Sequence, residues 1–322
     1  MLAEVGQVGS YDRVVDLTLA QGFVYYTVVN GSNSPVGLFR VSLGGGTPEL
    51  VVPGQGGCDS FSPFAYGNLA SDGRYVFGAD EESVGCSGYS VRVTAYDTTD
   101  GTLSQLPTPA GADVEPRVLS PRATAGGGVA WLIDPGTYTG PVSLARWTGG
   151  AGSTIVATLP AWAYGFVLAG NVGFVATIAS GTRTLHSVSL ADGTVTPLET
   201  FGTDLQLLAE SDDAVFYTAD GSKLSRREVA SGAVTPLTAP VPDHALWVDH
   251  DFLYVDSAGL HPPSYPAVVT RFPANGGAGK EIYRDDARNG VQAITGDACN
   301  VYWVAGRDYN TPRRPAIFVR RR

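Results

Sequence analysis

Four histidines (His186, His244, His250, His261) and three cysteines (Cys58, Cys86, Cys299) carry the versatile side chains of this 322-residue chain. Their spacing supports little of the usual chemistry. No CxxC pair or nearby histidine accompanies the thiols, which argues against zinc. A Ser/His/Asp hydrolase would need a G-x-S-x-G elbow, and none is present. No phosphate-cradling loop or dinucleotide fingerprint occurs. Gly44-Gly45-Gly46 and Gly126-Gly127-Gly128 read as turns, where glycine supplies positive φ. Asp249-His250-Asp251 reads as a polar turn with a solvated imidazole. Asp80-Glu81-Glu82 reads as a solvated loop tip with a weak pull on Ca2+. Weak Ca2+ binding is the one cofactor chemistry left open. A lyase of the streptogramin-lyase type needs a His base beside an acid. His244 and Asp243 are the one such pair, and adjacent strand residues point to opposite faces.

Composition says what must position these groups. Gly 41 and Pro 21 make a turn-rich chain, while Met 1 and two lysines leave few helix formers. Charged residues are 16%, below the roughly 25% of an ordinary soluble protein. At 43% hydrophobic and 10% aromatic the chain can bury a large core, which excludes disorder. The longest apolar runs are about eight residues, too short for a transmembrane helix. The net charge of −10 argues against nucleic acid or an anionic membrane as partner.

Repeats set the architecture. Seven apolar–aromatic segments recur: Val24-Tyr25-Tyr26, Tyr75-Val76-Phe77, Val129-Ala130-Trp131, Val172-Gly173-Phe174, Val215-Phe216-Tyr217, Leu253-Tyr254-Val255 and Val301-Tyr302-Trp303. Their third residues lie 51, 54, 43, 43, 38 and 48 apart. Each follows a Gly or Asp turn and precedes an alternating strand such as Gly37–Leu43, Val91–Tyr96 or Leu185–Leu190. Most then show a second Gly turn and a short strand, as at Pro48–Val52, Thr194–Leu198 and Ala233–Leu237. Turn, strand, turn, strand at this spacing marks a four-stranded antiparallel blade. No stretch carries the stripe of an amphipathic helix. The expectation is an all-β, seven-bladed β-propeller occupying residues 1–322 as a single domain. The last blade, 291–319, lacks an outer strand; residues 3–8 should supply it and close the ring without an open edge.

The tandem aromatic segments, above all Asn300-Val301-Tyr302-Trp303 and Ala214-Val215-Phe216-Tyr217-Thr218-Ala219-Asp220, resemble bacterial exported propellers of the TolB and YWTD-like kind. That resemblance spans nearly the whole chain as a repeat framework. It implies the fold and leaves the activity to be argued from a site.

Sorting the loops gives two unlike faces. One carries tight turns such as Thr99-Asp100-Gly101 and Ala191-Asp192-Gly193; the other carries long loops, including Asn30–Val36, Asp80–Ser90, Asp134–Pro141, Ser257–Pro266 and Gly306–Pro315. Long loops on a rigid scaffold are where binding usually sits. Counting eleven residues back from each reference aromatic gives a channel column of Val15, Tyr66, Ser120, Ala163, Gln206, His244 and Gln292. Two residues further out stand Arg13 and Asp204, an ion pair from opposite arcs. Asp204, joined by Asp243 if the register slips, gives too few carboxylates for a calcium cage. Expected ligand or partner contacts are therefore Tyr66, Trp162, Tyr164, Gln206, His244 and Gln292, with the loop tips Tyr138, Tyr265 and Tyr309.

Cys58 and Cys86 map to that face of the same blade. A bridge between them would close about 28 residues and contribute about 3.6 kcal/mol in the chain-entropy model. Cys299 lies in a turn on the other face and is expected free. The bridge implies an oxidising compartment, hence an exported protein (periplasmic, cell-surface or secreted). The N-terminus Met1-Leu2-Ala3-Glu4 shows no signal peptide. The residues favour a non-enzymatic binding or scaffolding propeller, monomeric, taking a protein or a polar small ligand on the long-loop face, with no nucleic acid and no membrane insertion. A lactonase- or streptogramin-lyase-type enzyme acting at the channel mouth is the alternative, and a carbohydrate-binding lectin is the third reading.

Overall fold

The computed structural model describes residues 1–5, 13–30, 35–54, 61–62, 68–84, 88–109, 117–134, 140–150, 152–202, 204–219, 221, 223–241, 246–256, 266–306 and 314–322. Those residues form seven antiparallel sheets, and no helix occurs among them. Six sheets have four strands. The second has five, because two short pieces, Phe61–Ser62 and Ala70–Ser71, share its inner edge. The inner strands of the other blades are Arg13–Ala20, Arg117–Ala123, Trp162–Ala169, Leu205–Glu210, Leu246–Val248 and Val291–Gly296. Successive inner strands neighbour one another around the ring, and blade seven meets blade one.

The seven apolar–aromatic segments all fall on the second strand of a blade: Phe23–Val29, Tyr75–Val84, Val129–Asp134, Val172–Ala179, Ala214–Ala219, Phe252–Asp256 and Asn300–Ala305. Burial explains their composition. A second strand has a neighbouring blade on each side, so both of its faces are covered; every residue of Val129–Asp134 is buried. Tyr25 packs toward blade two while its neighbour Tyr26 packs toward blade seven. Alternation therefore vanishes and a continuous apolar run remains. The core accordingly consists of seven apolar clusters, one between each adjacent pair of blades.

The seam closes as expected. Ala3–Glu4 pairs with Ala316–Arg321, with Ala3 opposite Ile317 and Glu4 opposite Ala316. Flanking bonds from Leu2 N to Ile317 O (2.8 Å) and from Val5 N to Pro315 O (2.9 Å) extend the ladder. Residues 6–8 of the expected strand lie outside the described residues.

Candidate functional site

The inner strands share a feature that alternation cannot anticipate. Register shifts fall between Val14 and Asp16, Leu119 and Arg122, Ala163 and Gly165, Leu207 and Ala209, and Val291 and Ala293. Five blades thus carry a β-bulge in the inner strand, at one height in blades one, four and seven and nearer the second-strand turn in blades three and five. Each extra residue reverses the inward and outward sets beyond it. The eleven-residue column therefore lands on or beside the bulges: Val15, Ser120 and Gln292 fall within the shifts themselves. Ser120 adopts a φ of +49°, the left-handed region unusual for a serine.

Beyond the bulges, charge is brought into the channel. A cavity of about 550 Å³ is lined by inner-strand residues of six blades, blade four excepted. Its charged groups are Asp16 of blade one, Arg122 of blade three and Glu210 of blade five. Thr18, Asn68, Ser71, Gln292 and Thr295 add polar atoms, and Trp247 adds an aromatic wall. These positions lie from the middle of each inner strand toward its second-strand turn. The polar cavity thus occupies the tight-turn half of the channel.

Arg122 Nε lies 3.4 Å from Glu210 Oε1 across the channel, with side chains 23% and 26% exposed. Removal from water holds the Glu210 carboxyl above its ordinary value, against the opposing pull of the Arg122 charge. Asp16 is bound differently. Its Oδ1 accepts from Leu17 N and its Oδ2 from Leu69 N, each at 2.7 Å, which ties blade one to blade two. Burial still raises its carboxyl, outweighing those backbone bonds and the nearby Arg122. Gln292 does the equivalent work at the seam: its Oε1 accepts from Val14 N at 3.2 Å. Asp16 and Gln292 position the ring, and the Arg122–Glu210 pair is left facing the cavity.

The expected contact residues divide. Gln292 lines the channel, whereas Gln206 is solvent-exposed and not part of the cavity wall. Trp162 and Tyr164 come together at the start of blade four's inner strand, ring centroids 6.0 Å apart. Trp162 Nε1 donates to Asp134 Oδ2 at 3.0 Å. Burial raises the Tyr164 phenol, with Arg183 and Asp204 close by. Asp204 pairs with Arg183 at 2.6 Å, which corrects the expected Arg13–Asp204 pair. Tyr66, His244, Tyr138, Tyr265, Tyr309, Cys58 and Cys86 lie outside the described residues. Cys299 is an exposed free thiol. No group of three or more His, Cys, Asp or Glu suited to a metal occurs among the described residues. Asp16, Arg122 and Glu210 escaped the column, although Asp16 is a charge set within the apolar run Val14-Val15-Asp16-Leu17, Glu210 closes the run Leu207-Leu208-Ala209, and Arg122 stands between Pro121 and Ala123.

The chain matches no protein-family model and no curated protein. Solved structures resemble it throughout. A prolyl endopeptidase gives a TM-score of 0.64 at 13% identity, over 97% of this chain and 50% of that one, so the chain spans about half the length of that enzyme. The β-propeller domain of the Trilobed protease from Pyrococcus furiosus gives 0.63 at 10% identity, covering 96% of this chain and 95% of that one. An oligogalacturonate lyase from Vibrio parahaemolyticus gives 0.62 at 9% identity, covering 97% and 91%. These likenesses establish the seven-bladed propeller fold. No family match carries the exported TolB/YWTD-like resemblance beyond that fold. They also correct the preference for a non-enzymatic binding or scaffolding propeller, since the propellers it resembles come from peptidases and a lyase.

Proposed function

We propose that this chain is an enzyme-type propeller whose channel performs acid–base chemistry of the lyase kind on a small anionic substrate. The observation that carries the reading is the Arg122–Glu210 pair, a base raised by burial beside a fixed cation in a polar cavity. A carboxylate whose pKa moves toward neutrality is a better general base, provided it remains ionised. Elimination from a uronate-like substrate needs that base and a cation for the substrate carboxylate. Glu210 takes the proton on the carbon next to the carboxylate. The electron pair forms the C=C bond as the C–O bond to the leaving group breaks, and protonated Glu210 returns its proton to the leaving oxygen. The Arg122 guanidinium stabilises the charge that gathers on the substrate carboxylate during this step.

The extent of the likeness supports the lyase reading: the oligogalacturonate lyase is covered over 91% of its chain. The matching half of the prolyl endopeptidase favours a second reading, in which the chain is the propeller portion of a larger hydrolase. Steady-state kinetics on a panel of uronate oligosaccharides, following the ultraviolet absorbance of the unsaturated product, separates the two. The lyase reading expects product, a Glu210→Gln variant that loses kcat, and an Arg122→Gln variant that raises KM as well. Absence of product from every uronate would favour the hydrolase reading.

Two further proposals concern regions outside the described residues. Tyr66, His244 and the tips Tyr138, Tyr265 and Tyr309 are proposed to line the substrate's approach from the long-loop side, where Trp162 and Tyr164 already stand together. The Cys58–Cys86 bridge, and the export it implies, rest on the loop assignment alone.

A further inference from the structure

Blades six and seven enclose a second pocket, of about 200 Å³, whose lining is cationic in a chain of net charge −10. Its floor is built by sheet register. Tyr254 stands opposite Arg271, and Arg271 stands opposite Lys280, so the three side chains form one row across blade six. Arg320 and Arg322 approach from blade seven. Both are held: Arg320 Nη1 donates to Ile282 O, while Arg322 pairs with Asp249 at 2.7 Å and donates to Asp297 O and Ala298 O. Arg271, whose guanidinium lies 4.3 Å from the Phe252 ring centroid, has no carboxylate partner among the described residues, nor have Lys280 and Arg321. Tyr254 is 1% exposed and lines this pocket; its hydroxyl oxygen lies toward the Arg322 guanidinium, and its O–H has no acceptor among the described residues.

A buried O–H donor without an acceptor, set near Arg271, Lys280 and Arg321, which lack counter-charges, lacks one thing: a compact group rich in acceptor oxygens. We propose that this pocket is a binding site for a phosphate-sized oxyanion, with Arg271 and Lys280 supplying charge and Tyr254 the buried donor. The site lies outside the channel and does not depend on the lyase reading.

Thermal unfolding and 31P line broadening of the full chain test it, with inorganic phosphate or glycerol phosphate replacing chloride at fixed ionic strength. Phosphate should raise Tm and broaden, and an Arg271→Gln/Lys280→Gln variant should bind about tenfold or more weakly. Tyr254→Phe should weaken binding without lowering Tm in chloride. Ester binding as tight as inorganic phosphate would assign the pocket to a phosphoryl group on a larger molecule; binding of inorganic phosphate alone would assign it to the free anion. Protection by chloride equal to that by phosphate, or unchanged binding in the double variant, would overturn the proposal.

Discussion

Two carboxylates of the channel have their pKa values raised for the same reason and put them to different use. Asp16 spends both oxygens on the backbone N–H groups of Leu17 and Leu69. Asp16→Ala should cost about 2–3 kcal/mol in urea unfolding, because Leu69 N is left without its acceptor. Asp16→Asn keeps an acceptor and should cost less than half as much. Glu210 instead faces the cavity with Arg122. Its folded-state carboxyl is raised, so the folded protein holds that proton more tightly than the unfolded chain does. The stability this contributes is present below the unfolded carboxyl value and is lost as pH rises through the folded one. Wild type should therefore lose stability relative to Glu210→Gln across that window, read as the difference between their pH–Tm curves. Activity has the opposite sign: a base must be ionised, so the rate should climb through a pKa above the ordinary glutamate range. A rate that rises below that range would assign the base to another group.

At the scale of elements, the second strands were legible and the inner strands were not. Tyr25-Tyr26 and Tyr302-Trp303 announce strands covered on both sides, because only such strands tolerate consecutive large apolar residues in a polar-turned blade. The inner strands carry bulges at Val15, Ser120, Tyr164, Leu208 and Gln292. A bulge has no composition signal of its own here, so counting placed Val15 where Asp16 acts; in blade five it stopped at Gln206, before the bulge, four residues short of Glu210. Turns are equally exacting in one case. Gly128 has a φ of +89°, and a Cβ there would lie 2.1 Å from Trp147 O. Gly128→Ala should destabilise by about 2–4 kcal/mol, since both the backbone conformation and the blade-three ladder oppose it. Removing residues 1–5 takes away the strand that covers Ala316–Arg321 and should lower Tm by several degrees; an unchanged Tm would show that the seam contributes nothing.

The whole molecule is a ring of seven wedges around a polar channel, with the apolar clusters between blades rather than at the centre. Length, turn content and repeat spacing were enough to read that ring, and the seam with it. The chemistry was not readable at this scale, because a channel site is assembled from single residues of blades one, three and five, far apart in sequence. Cysteine chemistry can be checked on the intact chain: alkylation without reductant should label Cys299 alone, and labelling of all three thiols would remove the case for export. The central claim is that Glu210 takes a proton from carbon inside the channel. Proton NMR of a uronate oligosaccharide incubated with wild type or Glu210→Gln reads this most directly. The proton signal beside the carboxylate should disappear as a vinyl proton signal grows with wild type, slowed at least about a hundredfold in the variant. Equal loss of that signal with both proteins, or none with either, would contradict it.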